Sequence, residues 1–320
     1  MNDLELDTTE WDQLWIFGRE NALRSGVAAN ESLENFWRTA FSAKHGATRL
    51  LDIACGNGAL ARYLDQVGDS ENKSIEYIGV DSARINPPEA KTFQALVPKF
   101  LANKNIEDVS FQPGQFDLVV SQFGFEYCRK DRVIELVSDW LRPGGHVIFV
   151  VHSETSAITL ESKQILEQLR ILEESALIPL LFRLLVRLEA IAHSQDQKDA
   201  EAEHLRQRIN GTCSNLEEIA GYLHESQFLI ATMGLLLSLL ASKRAHIPAV
   251  VRKENLVKLS TSLQYQQTRL RQQFDCALGV EEMTRIKALW SDGGFSDVTS
   301  EALTCEGEEL GEVIRASKAS

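Results

Sequence analysis

The spacing of apolar and polar positions changes character along the chain. Residues 8–42 carry apolar positions at helical spacing, with Trp11, Trp15 and Trp37 among them. Within this stretch Asn30 to Glu34 reads as a helix start, with Asn30 or Ser32 as the cap. From residue 49 short apolar runs alternate with amphipathic ones. RLLDIA, IEYIGVD, FDLVVSQF and HVIFVV read as buried strands, and ALARYLDQV and VIELVSDWL as the helices between them. Strands that alternate with helices pair in parallel through crossovers, which predicts a doubly wound sheet.

Residues 154–278 lose that rhythm. Between Glu161 and Asp275 there are only three glycines (Gly211, Gly221, Gly234) and two prolines (Pro179, Pro248). The spacing predicts about four helices, with Pro179 in the first turn of one of them, where a missing N–H costs little. Phe228–Leu240 is apolar nearly all round and is expected to be buried between helices or subunits. The strand pattern returns at the end: VEEMTRIKALW is amphipathic, GGF turns, and DVTSEAL and LGEVIRAS read as strands.

Composition narrows the function classes. The 320 residues are 44% apolar and 25% charged, as in an ordinary globular protein. The formal charge is −13, which disfavours a nucleic-acid partner. Acidic and basic residues balance within Glu161–Asp275, so the excess acid lies elsewhere. The five cysteines form no CxxC pair and the seven histidines no HxxxH or HExxH spacing. No metal site is expected, and a reduced, cytoplasmic protein is. The acidic N-terminus lacks the apolar core of a signal peptide, and no apolar run reaches the roughly 20 residues of a spanning helix.

The chemistry concentrates in LLDIACGNGALARYL. A strand ends at Asp52, Gly56 and Gly58 make a turn, and a helix follows whose free N–H groups face a ligand. Gly56-x-Gly58-x-x-Ala61, with Asp81 at the end of the next strand, fits a nicotinamide dinucleotide site as well as an adenosyl site. Two readings therefore stand beside an adenosyl-dependent enzyme: an NAD(P)-linked oxidoreductase, and a non-catalytic scaffold with a vestigial pocket.

The ordered set of segments resembles the class I S-adenosylmethionine-dependent methyltransferases, near the ubiquinone/menaquinone-methylase-like branch. The resemblance covers residues 45–153 and 279–318. It implies a seven-stranded, mostly parallel sheet with N-terminal helices and a large helical insertion. It also implies S-adenosyl-L-methionine as cofactor, held by Asp52, Ala54, Cys55, Gly56, Gly58, Asp81, Ser82, Asn105, Ile106, Ser121 and Gln122. Asp81 would hold the ribose hydroxyls, and Asn105 stands where the family usually has Asp near the adenine, at the family's third strand end. Ala54 replaces the first glycine of the turn. Ligands of such sheets bind beyond the carboxyl ends of the strands, which brings in Glu126, Tyr127 and His152 as catalytic candidates, His152 foremost as a base.

The expected organisation is a lid over residues 1–44, carrying Trp11, Trp15, Arg19 and Trp37. The methyltransferase domain follows over 45–153 plus 279–320, and an insertion over 154–278 serves as substrate cap or homodimer interface. The apolar, charge-balanced insertion points to a small lipophilic or amphipathic acceptor, methylated on O, N or C.

Overall fold

The computed structural model describes residues 9–16, 27–43, 48–68, 75–192, 199–241 and 247–319; Arg19 of the expected lid lies outside them. Its sheet has seven strands: β1 (Arg49–Ile53), β2 (Ile75–Val80), β3 (Leu96–Leu101), β4 (Phe116–Gln122), β5 (Leu141–Val151), β6 (Phe295–Cys305) and β7 (Glu308–Lys318). The order is β3-β2-β1-β4-β5-β7-β6. The first five strands run parallel, and β7 lies antiparallel to both β5 and β6. From β1 the chain moves outward to β2 and β3, then returns to the other side of β1 with β4. The switch point of this mostly parallel, doubly wound sheet is therefore between the carboxyl ends of β1 and β4.

Period-two alternation sends neighbouring residues to opposite faces. Leu51, Ile53, Val119 and Phe149 pack with Trp140 and Trp290, from the helices α4 (Lys130–Trp140) and α10 (Val280–Asp292). Leu50, Leu118 and Val120 face the other way, onto Leu60 and Leu64 of α3 (Ala59–Val67) and Leu33 and Trp37 of α2 (Val27–Ala43). A short helix, α1 (Thr9–Ile16), precedes them.

The chain divides into two compact units. One comprises residues 1–160 with 272–320, the other residues 161–271. The second unit is built from α6 (Leu177–Ile191), α7 (Ala200–Tyr222) and α8 (Gln227–Ser238), with most of α5 (Ala157–Glu174) and of α9 (Ala249–Cys276). Its core joins Leu172, Leu181 and Leu185 to Leu205, Ile209, Met233 and Leu256.

Several expectations need correction. Helix α2 begins at Val27, not at Asn30 or Ser32, because Ala28 and Ala29 favour helix and Ala29 is buried against the core. The third strand is Leu96–Leu101, and Asn105 lies four residues beyond its end; Pro98 and Lys99 on an edge strand hide it from an apolar-run reading. Among the described residues the insertion holds five helices, not four. The breaks at Ser175–Ala176 and at residues 223–226 contain neither Gly nor Pro, and Ala176 takes φ 54 in a glycine's place. On helix α8 Leu229, Met233 and Leu236 face the core, while Ile230 and Leu235 are 49% and 51% exposed in the single chain, so burial between helices covers one side of the helix only. No helix among the described residues is long and apolar enough to cross a membrane.

Candidate functional site

The turn after β1 runs through Ala54 (φ 57), Cys55, Gly56 (φ 50), Asn57 and Gly58 (φ 78). Left-handed residues reverse the strand and begin α3, which is what glycine permits and an L side chain resists. Ala54 tolerates the position because Gly124 stands opposite. A Cβ on Gly124 would sit 2.4 Å from that of Ala54. Gly58 lies under the Phe100 ring and Gly56 under Trp15, where a Cβ would come within 2.9 Å and 2.7 Å of the rings.

Asp81 closes this turn. Its carboxyl accepts from the Gly56 N–H at 2.7 Å and the Ala83 N–H at 2.8 Å, and burial pushes it up to about 6 against those two bonds. Ser82 is half-buried next to it. Asp52, one strand away, is also buried. One carboxyl oxygen accepts from the Tyr77 hydroxyl, and the other has no partner. Burial pushes this carboxyl up to about 8, against the lowering bond from Tyr77. The Cys55 thiol beside them is pushed well up, chiefly by burial.

The remaining cofactor candidates divide. Ile106 is buried in the core, and Asn105 is exposed, with its amide donating to Asp108 at 3.0 Å. The Ser121 hydroxyl donates to the Ile53 carbonyl at 2.9 Å and accepts from the Phe125 N–H at 3.0 Å, tying β4 to β1 at the switch point. Gln122 accepts from the Trp37 indole at 2.7 Å. These two side chains are engaged within the protein, whereas Asp52 keeps a free oxygen.

A second group sits at the carboxyl ends of β4 and β5. Glu126, in the one-turn helix Phe125–Tyr127, accepts from the His152 main-chain N–H at 2.8 Å through Oε1. Its Oε1 lies 4.0 Å from His152 Nε2, and its Oε2 is buried without a partner. Burial pushes the Glu126 carboxyl up to about 7 and His152 down to about 3. At neutral pH the imidazole is therefore uncharged, and Glu126 is the stronger base of the pair. His152 stacks on Phe123 at 4.4 Å, with Nδ1 unpartnered. The Tyr127 hydroxyl is buried with the Cys276 thiol beside it.

Helix α1 is fastened across this edge. Asn57 donates to the Trp15 carbonyl at 2.9 Å, and the Arg84 N–H to Asp12 at 2.6 Å. Trp11 meets Tyr127 edge-on and donates to Gln272 at 2.7 Å, while Gln272 donates to Glu10 at 3.2 Å. Sequence reasoning missed Tyr77, Phe123 and Gln272. Tyr77 was within reach: Asp52 pairs with Gly79 across the sheet, so a residue two positions earlier shares its face.

Residues 51–149 match a family model described as a methyltransferase domain. The matched segment runs from β1 almost to the end of β5 and so includes the glycine turn, Asp81 and Glu126. Over 104 residues, 32% of its length, the chain is 31% identical to a glycine/sarcosine/dimethylglycine N-methyltransferase of Actinopolyspora halophila. It spans only 18% of that relative's length. Among solved structures, a possible exported protein of Bordetella parapertussis aligns at 13% identity and TM-score 0.42, over 91% of this chain and 68% of the other. The Burkholderia thailandensis 1,6-didemethyltoxoflavin-N1-methyltransferase, solved with 1,6-didemethyltoxoflavin and S-adenosylhomocysteine, aligns at 17% identity and TM-score 0.35. That alignment covers 46% of this chain and 61% of the other.

Proposed function

We propose that this chain is an S-adenosylmethionine-dependent methyltransferase acting on O, N or C of a small, lipophilic or amphipathic molecule. The observation that carries the reading is the pairing of two sites on one sheet edge, all but His152 lying within the segment that matches a methyltransferase domain. One is the glycine turn with the buried acids Asp52 and Asp81; the other is the buried Glu126–His152 pair. The donor set fits the cofactor. Asp81 presents a carboxyl, buried and fixed by two main-chain N–H groups, to the ribose hydroxyls. The partnerless oxygen of Asp52 suits the cofactor's ammonium. When bound, the cofactor supplies a methyl on a sulfonium, an activated electrophile.

The chain's own residues then position the acceptor and take its proton. Glu126 takes that proton at Oε2, with an affinity near neutrality suited to a general base. Neutral His152 orients the acceptor from Nδ1, and Phe123 and Tyr127 give it an apolar wall. Trp15 and α1 serve as a lid over the turn. The ubiquinone/menaquinone-methylase-like branch, and the insertion's role as substrate cap or homodimer interface, rest on the sequence pattern.

Calorimetric titration tests the reading. S-adenosylhomocysteine should bind and NADH should not; the reverse would make the chain a dehydrogenase, and binding of neither would leave the scaffold. Asp81→Ala should weaken S-adenosylhomocysteine at least tenfold in a folded protein, since each charge-assisted bond contributes roughly 1.5–3 kcal/mol. Unchanged affinity would remove Asp81 from the site.

A further inference from the structure

Tyr77 is fully buried on β2, and its hydroxyl donates to one oxygen of Asp52. The other oxygen of Asp52 is equally buried and has no partner. Such an arrangement costs free energy in the empty protein, because a buried polar atom without a hydrogen bond loses its water for nothing. A protein built only for stability would place a second donor there or an apolar residue. Tyr77 packs against Phe100 at 5.6 Å, and its hydroxyl has one proton to donate, so it serves one oxygen at a time.

We propose that Tyr77 is a positioning residue of the adenosyl site: it pins one oxygen of Asp52 and leaves the other for a cationic donor of the ligand. The inference rests on the methyltransferase reading and deepens it. Tyr77 touches neither ligand nor reacting atoms and acts through Asp52. A donor to the ionised carboxylate favours that form, so Tyr77 also sets the pH at which the acid can receive a cation. The groups acting on Asp52 and Tyr77 are few: Asp81 beyond β2, Cys55 in the glycine turn, and Arg62 on α3. The first two oppose ionisation of their neighbours when charged, and Arg62 favours it for Tyr77.

The test is the affinity for S-adenosylhomocysteine, which carries the same ammonium, measured by calorimetry from about pH 6.5 to 8.5. In the wild-type chain affinity should rise with pH toward a plateau, as Asp52 ionises near 8. In Tyr77→Phe the rise should move to higher pH, and each unit of movement is about a tenfold loss at pH 7. Affinity in the variant should recover as pH is raised, which a merely structural defect would not do. Asp52→Asn is the second variant and keeps an oxygen for Tyr77. It should bind weakly, with a profile flat above pH 7, and adding Tyr77→Phe to it should cost nothing more. Wild-type profiles in Tyr77→Phe or in Asp52→Asn, or independent losses in the double variant, would overturn the inference alone. Failure of the wild-type chain to bind at any pH would overturn the methyltransferase reading, and the inference with it.

Discussion

Asp117 and Asp52 stand at opposite edges of one sheet, the first near the start of β4 and the second near the end of β1, and their carboxyls meet opposite surroundings. Asp117 accepts from the Thr48 and Arg49 main-chain N–H groups at 2.9 and 2.8 Å, from the Thr48 hydroxyl at 3.1 Å and from Arg142 Nε at 2.5 Å. Burial pushes its carboxyl up, but these donors outweigh burial and hold it below the usual carboxylate range. Asp52 has one donor and one bare oxygen, and burial wins. Asp81 and Glu126, on the same edge as Asp52, are raised as well. The amino edge spends its acid on holding strands together. The carboxyl edge leaves one oxygen each of Asp52 and Glu126 without a partner and holds Asp81 by two main-chain N–H groups, as a ligand site does.

The two edges should respond oppositely to pH. Asp117 has a lowered folded pKa, so its contribution to stability is present above its unfolded value and is lost as pH falls through the folded one. Asp52, Asp81 and Glu126 have raised folded values. Their contribution is complete below the unfolded values, near 4, and is lost as pH rises through about 8, 6 and 7 respectively.

The largest effect expected at the carboxyl edge is on turnover. Glu126→Gln should lower kcat by roughly 10²–10⁴-fold for a hydroxyl or carbon-acid acceptor, with S-adenosylhomocysteine affinity nearly unchanged. Wild-type kcat should rise with pH through about 7, and the variant's should be flat over that range. The measurement uses whichever acceptor emerges from a screen of lipophilic hydroxyl, amine and carbon-acid compounds. Wild-type turnover in the variant would return the base role to His152 or remove the need for a base.

At the amino edge the effect should be on stability alone. Asp117→Ala removes the acceptor of four donors and should destabilise the fold by about 1–2 kcal/mol in urea unfolding, because Thr48 is exposed and Arg142 half-exposed, so water takes up most of the released donors. Affinity for S-adenosylhomocysteine should stay within a factor of two or so, since the edges lie a strand length apart. A large loss of affinity without loss of stability would erase the distinction between the edges.

How much of this was legible depends on which contacts are local. The glycine turn, Asp52 and Asp81 show in sequence because a strand end, a left-handed turn and a helix start are contiguous. The apolar strands β1, β4 and β5 show because burial on both faces leaves an unbroken run. Strand β3 hides behind Pro98 and Lys99. The hydroxyl of Ser121 reads as a ligand group by position, yet it is taken up by Ile53 and Phe125. The pairs Tyr77–Asp52, Glu126–His152 and Trp11–Gln272 link residues 25, 26 and 261 positions apart, and only sheet register and helix packing bring them together.

The smallest effect concerns Ala54, a left-handed residue of the turn that is not glycine. Ala54 holds φ 57, a conformation that costs an L residue roughly 1–2 kcal/mol. Gly124, at φ −141, needs no such freedom, so its lack of a side chain is a matter of space alone. A methyl on Gly124 would meet the Ala54 methyl at 2.4 Å, and would also come within 3.1 Å of Ser121 Oγ and 3.2 Å of the Ile53 carbonyl. Gly124→Ala should therefore cost about 1–3 kcal/mol by overpacking. Ala54→Gly should change stability by about 1 kcal/mol or less, since the relieved strain is offset by the freer unfolded chain. In the double variant the worst clash disappears and only the two longer contacts, to Ser121 Oγ and the Ile53 carbonyl, remain. A double-mutant cycle in urea should give a favourable coupling of about 1 kcal/mol or more, within the range for residues in contact. Additive single effects would mean that the backbone, not the opposing methyl, limits residue 124, and that Ala54 and Gly124 are independent features of the switch point.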